Sequence, residues 1–268
     1  MAPSLTELLF ALGLGDRVVG VTRYCDYPEE ARAKQSIGGF VDPNYEAVIS
    51  VKPDLVVMLS SQRESQRHLE GLGIKTLAVE HATVADILAS IRVVGEACGK
   101  AKEAGKIAAD IEKRTARIRE KARALRRPRV LICIWRDRSG SGKLDDAFIA
   151  GRKSFYDEMI VCAGGVNAFE TGATQSPSLS REGLMRVNPE IIVDLVDNFE
   201  KIGKSREEII RQWEEIGRVD AVRNKRVCVI KEAYALRPGL RFILLLEDLA
   251  RIIHPEVPWD EKREGAPK

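Results

Sequence analysis

The sequence predicts an α/β protein of two similar lobes with mostly parallel sheets, joined by a single long helix, with a ligand cleft between the lobes. Three observations carry this expectation. A stretch of fourteen residues occurs twice, as Glu46-Ala-Val-Ile-Ser-Val-Lys-Pro-Asp-Leu-Val-Val-Met-Leu59 and as Glu182-Gly-Leu-Met-Arg-Val-Asn-Pro-Glu-Ile-Ile-Val-Asp-Leu195, at a constant offset (182 − 46 = 136). Glu46 matches Glu182, Val51 matches Val187, Pro53 matches Pro189 and Asp54 matches Glu190. A solenoid repeats every 20–50 residues or so, so an offset this long means repeated lobes. Each copy closes on a short apolar run, residues 55–59 and 191–193, which reads as a strand buried on both faces of a parallel sheet. Between the copies, residues 84–125 hold few helix breakers (Gly95, Gly99, Gly105), and Ile87, Ile91, Val94, Ala97, Ile107, Ile111 and Ile118 recur at near-helical spacing. Two lobes commonly meet at a cleft, and small ligands settle in clefts.

The elements follow in order. Residues 4–13 read as a helix ended by Gly13, with Ser4 and Glu7 forming a capping box. A parallel sheet ordinarily supplies a strand before such a helix, so the sequence predicts that the true first strand, with any export signal, is missing from this chain. Residues 18–21 form a strand, residues 23–28 a loop, and Gly38-Gly39-Phe40 a turn. Asp42 caps the first repeat helix, with Pro43 at its first position and Glu46 in its first turn; Ser180 caps the second. Both helices stop before a proline, since the residue ahead of proline avoids the helical region. A helix within residues 60–71 and a strand at 75–79 close the first lobe, residues 1–82. Residues 83–126 are the linking helix, either continuous or broken once, and residues 127–268 the second lobe. The irregular heptad leaves a coiled-coil partner helix open as an alternative for the linker. In the second lobe a strand at 129–135 is followed by a Gly/Ser/Asp-rich loop at 137–146 and a helix begun by Ser154-Phe-Tyr-Asp157 and ended at Gly164-Gly165. A helix at 206–216, a strand at 226–230 and a final helix at 240–253 complete it.

Composition excludes several classes. With 44% hydrophobic and 31% charged residues the chain is an ordinary globular protein, and a net charge of +3 argues against a nucleic-acid partner. The Lys, Arg and Glu richness is compatible with a heat-adapted source. Five cysteines form no CxxC pair, and Cys133 and Cys228 sit in apolar strand patterns as core residues. Three scattered histidines give no metal-ligand spacing, so neither a metal nor a cofactor is expected. Gly13-Leu-Gly15 lacks a glycine at 18, and Ser139-Gly-Ser-Gly142-Lys143 is followed by Leu144 where a phosphate loop needs Ser or Thr. No GxSxG elbow is present, and the sequence predicts a protein that is not an enzyme. Neither a signal peptide nor a membrane span is visible.

Several segments together carry a family likeness. Ala2-Pro-Ser-Leu-Thr-Glu-Leu-Leu-Phe-Ala-Leu-Gly13 and Val18-Val-Gly-Val-Thr-Arg-Tyr24-Cys-Asp-Tyr27-Pro28 resemble the opening of substrate-binding proteins of vitamin B12 and ferric siderophore ABC importers, the helical-backbone or class III binding proteins. Ile37-Gly-Gly-Phe40, Ala150-Gly-Arg-Lys-Ser154, Cys162-Ala-Gly-Gly165, Ser180-Arg-Glu182 and Arg237-Pro-Gly239 continue the likeness in order. The resemblance implies a periplasmic or lipid-anchored, monomeric protein that delivers a small metal chelate to an ABC permease dimer with its ATPase. Any cobalt or iron would arrive inside the ligand. It also implies that Glu46 and Glu182, one per lobe, dock onto permease arginines.

The implied ligand residues are less uniform. Tyr24, Phe40 and Phe148 fall where the B12 binders place aromatic groups around the corrin; Leu59 and Ser176 fall where those binders can have tryptophan. Arg23, Trp135, Arg136, Arg138, Arg152 and Tyr234 lie near predicted strand ends or loops facing the cleft. Arginine clusters suit anionic siderophores, and aromatic groups suit a flat macrocycle. The expected ligand is therefore a corrinoid, with a ferric siderophore or haem as the alternative. A rigid linking helix implies only a small closure on binding. Two readings from other classes stay open: a cytoplasmic nitrogenase-like redox protein on the same plan, and a ligand sensor.

Overall fold

The computed structural model describes all residues except 137–146, 171, 173, 198, 260–264 and 266–268. The chain forms two compact units, Met1–Lys113 with Arg237–Arg241, and Arg114–Leu236 with Phe242–Gly265. Both are α/β with mostly parallel strand pairing.

The first unit runs α1 (Pro3–Ala11), β1 (Gly20–Val21), β2 (Gln35–Ser36), α2 (Tyr45–Ser50), β3 (Val56–Leu59), α3 (Arg63–Gly71), β4 (Thr76–Val79), α4 (Val84–Ala97) and α5 (Ala101–Ala122), whose last turns belong to the second unit. Its strands form two parallel pairs, β1 with β2 and β3 with β4, in place of one continuous sheet. Met1, Ile37, Val48, Val56, Met58 and Leu69 make a core cluster. Two expected caps do not form, because their side chains are engaged elsewhere. Ser4 Oγ lies 3.3 Å from His81 Nδ1 and the Glu7 carboxylate accepts from Arg241 Nε at 2.7 Å, so α1 starts at Pro3 behind Ala2, an N-cap residue that gives no side-chain bond. Asp42 pairs with Arg23, and Asn44 caps α2 by accepting from the Ala47 amide at 3.0 Å. Thr83 and Asp86 cap α4 reciprocally. The helical stretch is broken once, at Gly99 (φ +73°), a left-handed stop that glycine adopts without a Cβ penalty. At Gly95 the helices approach so closely that a Cβ would lie 2.3 Å from that of Ala104.

The second unit carries β5 (Arg129–Arg136), β6 (Ala147–Ile149), α6 (Phe155–Cys162), β7 (Val166–Asn167), β8 (Ser178–Leu179), α7 (Arg181–Val187), β9 (Ile191–Leu195), α8 (Phe199–Ile202), α9 (Arg206–Glu214), α10 (Asp220–Arg223), β10 (Val227–Ile230) and α11 (Phe242–Ile253). Its sheet has the order β10-β9-β5-β6-β8, with β7 on the start of β5. β10, β9, β5 and β7 are parallel, whereas β6 and β8 are antiparallel additions. Ser154 and Ser180 cap α6 and α7 as expected, accepting from the amides of Asp157 and Gly183.

The repeat is structural as well as sequential. α2–β3 and α7–β9 are the same helix–loop–strand unit, and Val48 and Leu184, at equivalent places, are each 1% exposed. Lys52 (φ 46°) and Asn188 (φ 44°) both turn left-handed just before the repeat proline.

His81 ties the Arg237–Arg241 segment to the first unit. Its Nδ1 is 3.0 Å from the Pro238 carbonyl, which only accepts, so Nδ1 carries the proton; Nε2 is 2.8 Å from Ser90 Oγ. Burial holds the ring below its ordinary value of 6.5, so the unfolded chain binds more protons beneath that pH. Stability is therefore expected to be full above pH 6.5 and to fall as pH drops from there through the folded value. Melting curves of the parent and His81→Gln between about pH 7 and 5 check this: the variant should show the shallower pH slope. Equal slopes would contradict it.

Candidate functional site

In the second unit, the end of β5 meets β6 in an aromatic pair. Trp135 and Phe148 are cross-strand partners beside a bulge, with ring centroids 5.6 Å apart at 63°. Ala147 and Ile149 on either side of Phe148 are buried, so strand alternation turns the phenyl outward. Trp135 is 53% and Phe148 39% exposed, an arrangement that leaves two large rings available for contact.

Arg136, the next residue on β5, points the opposite way, and this corrects the expectation of a ligand-facing arginine. It is 3% exposed. Its Nε donates to Asp194 Oδ2 at 2.9 Å, Nη1 to Gln212 Oε1 at 2.9 Å and Nη2 to the Ile209 carbonyl at 3.3 Å. The guanidinium stacks 5.0 Å from the Trp213 ring, and Trp213 Nε1 donates to the same Asp194 oxygen at 2.9 Å. Tyr234 is likewise buried, with its hydroxyl donating to Asp248 Oδ2 at 2.5 Å. Burial removes both side chains from the exposed set. Arg152 is exposed, with Nε 3.7 Å from Asp157 Oδ2. Arg138 and the glycine-rich loop lie outside the described residues.

In the first unit Tyr24 is 53% exposed and lies under the Arg23 guanidinium, 5.6 Å from the ring centroid. Arg23 pairs with Asp42, whose carboxyl it holds below the usual carboxylate range. Phe40 is half-buried, its carbonyl accepting from Gln62 Nε2 at 2.8 Å. Sequence reasoning missed Tyr27, an exposed ring with the Arg241 guanidinium 3.9 Å from its centroid. It also missed the Arg237–Asp26 fork, which lowers the Asp26 carboxyl. The motif Arg237-Pro-Gly239 stood out in the sequence, but nothing in it pointed to residues 26 and 27.

Glu46 and Glu182 occupy the second helical position of α2 and α7 and are both exposed. The backbone amide of Glu182, and then Ser180, hold its carboxyl below the ordinary value, so it is ionised at neutral pH. Among the described residues no group of three or more His, Cys, Asp or Glu could hold a metal ion. No helix of the described residues is long and apolar enough to cross a membrane.

A family model described as periplasmic binding protein matches residues 1–234. The chain belongs to this family. Its members are substrate-binding transport proteins and not enzymes. A Bacillus subtilis relative, the uncharacterized ABC transporter substrate-binding lipoprotein YvrC, is 32% identical over 266 residues, covering 96% of this chain and 79% of its own. A vitamin B12-binding protein of Photorhabdus laumondii is 29% identical over 211 residues, covering 74% and 73% of the two chains. Among solved structures, the periplasmic heme-binding protein RhuT from Roseiflexus sp. RS-1 in apo form superposes with a TM-score of 0.80 at 26% identity, over 95% of this chain and 96% of the other. The two-lobe α/β architecture read from the repeat is that of the family.

Proposed function

We propose that this protein is the extracytoplasmic substrate-binding component of an ABC importer and that it captures a corrinoid for delivery to the permease. The observation that carries the ligand class is how the arginines and the aromatic rings are used. Arg23, Arg136 and Arg152 each face a carboxylate of the protein itself, on Asp42, Asp194 and Asp157. Tyr24, Trp135 and Phe148 meanwhile stand exposed. A strongly anionic siderophore needs guanidinium groups whose charge is uncommitted. A broad macrocycle needs rings to lie against, and the B12-binding relatives favour a corrin. Haem is the second reading, favoured by the likeness to a heme-binding structure. Any metal is cargo held by the ligand, and the protein acts as a monomer.

Calorimetric titration against cobalamin, haemin, a catecholate and a hydroxamate ferric siderophore tests this. Cobalamin is expected to bind most tightly. Covering roughly 80 Å² of the exposed Trp135 ring at ~25 cal/mol/Å² contributes about 2 kcal/mol, so Trp135→Ala should weaken binding by roughly 30-fold. Phe148→Ala should act in the same direction, and Arg152→Ala should change affinity little. A siderophore that binds best and depends on Arg152 would overturn the corrinoid reading; no binding by any of the four would overturn the importer reading.

A further inference from the structure

The Arg23 guanidinium lies over the Tyr24 ring and pairs with Asp42, and all three side chains are exposed. Exposed ion pairs ordinarily contribute little, because two mobile side chains must be held in one geometry. Here the backbone does much of the holding. The Arg23 amide donates to the Gly38 carbonyl at 2.9 Å, and the Gly39 amide to the Asp42 carbonyl at 3.0 Å, so the two loops are tied to each other. Gly39 between them is buried. A Cβ at Gly39 would collide with Asp42 Oδ1 and lie 2.5 Å from Arg23 Nη2, so the ion pair rests directly on this glycine. The φ of Gly39 is not left-handed, so space and not backbone strain requires glycine there. The Asp42 carboxylate is not used as a helix cap, because Asn44 caps α2.

The pair sets guanidinium donors and carboxylate acceptors side by side. A primary amide complements both at once, through its carbonyl and its NH2 group, whereas a carboxylate brings acceptors alone and meets the charge of Asp42. Cobalamin carries amides around its corrin where haem carries carboxylates. We propose that Asp42 is a specificity-determining residue: by holding Arg23 beside Tyr24 it makes this surface a site for ligand amides and turns carboxylate-bearing ligands away. This rests on the corrinoid reading given above and adds the residue that sets which charge the ligand can carry. Without the Asp42 charge, the planar fork of Arg23 is released to take a ligand carboxylate in a bidentate bond.

The test measures the affinity of the parent and of variants for cobalamin and for haemin. Asp42→Asn should raise haemin affinity by about tenfold or more and lower cobalamin affinity by about threefold. Gly39→Ala presses the pair apart from beneath and should shift both affinities in the same directions. Arg23→Gln combined with Asp42→Asn removes the released guanidinium and should return haemin affinity to within about twofold of the parent. Asp42 is exposed, so Asp42→Asn carries the test even where Gly39→Ala does not fold. Haemin affinity that is unchanged in Asp42→Asn, or raised equally in the double variant, overturns the proposal and leaves the corrinoid reading standing if the parent binds cobalamin. A parent that binds neither compound ends that reading and this proposal together.

Discussion

Asp194→Ala is expected to destabilise the protein by about 3–5 kcal/mol, because it strands a buried guanidinium. Asp194 is 0% and Arg136 3% exposed, and their ion pair is 2.9 Å long. The substitution also takes the acceptor from Trp213 Nε1. Arg136 keeps its bonds to Gln212 and the Ile209 carbonyl, but neither partner carries a compensating charge. The repeat suggests the companion variant. At the place of Asp194 the first copy has Met58, itself 0% exposed, so this position accepts an apolar side chain when no charge faces it. Arg136→Leu combined with Asp194→Met removes both charges and should recover most of the loss, since well-packed apolar groups often replace a buried pair at little cost. Urea denaturation of the parent, both single variants and the double variant gives the coupling directly. A loss below about 1 kcal/mol for Asp194→Ala would show that the pair is solvated in solution.

The same residues show what the sequence made legible and what it hid. The repeat strands could be read because apolar runs behind a proline are local signals, and β3 and β9 form on them. Ser154 and Ser180 could be read as caps because their side chains stay engaged with their own helix starts and the residues beside them, whereas Ser4 and Asp42 are drawn to His81 and Arg23 by contacts that no local pattern records. β6 and β8, of three and two residues, are shorter than any run that periodicity distinguishes. Arg136 looked like a cleft residue because it ends an apolar strand. The contrary sign was present in the mismatch of Met58 with Asp194: a carboxylate inside a buried strand demands a buried cation, and β5 supplies one. Phe148 was legible through the resemblance and Trp135 through its place near a strand end; their pairing depended on an antiparallel register beside a bulge, which the sequence does not announce. Tyr27 and Asp26 were hidden for a different reason, since their arginine partners lie more than 200 positions along the chain.

Reversing both repeat glutamates, Glu46→Lys with Glu182→Lys, is expected to abolish import and to leave ligand affinity within about twofold of the parent. Both side chains project from the second position of a short capped helix and are exposed, so their replacement disturbs no core contact. The favourable interaction of each with its helix N-terminus is small and screened by salt, so neither fold nor ligand contacts should suffer measurably. Docking is different, because two like charges brought together at an interface suppress association and slow encounter. Each single reversal should reduce uptake, and the double variant should reduce it by roughly 100-fold or more, consistent with one contact per unit. Radiolabelled cobalamin uptake through the cognate permease, with Kd measured on the same preparations, separates docking from capture. Lys-to-Glu or Arg-to-Glu changes on the permease face that restore uptake by the double variant would locate the partner charges. Undiminished uptake by the double variant would leave both glutamates as solvated helix starts and would sink the docking proposal while leaving ligand capture intact.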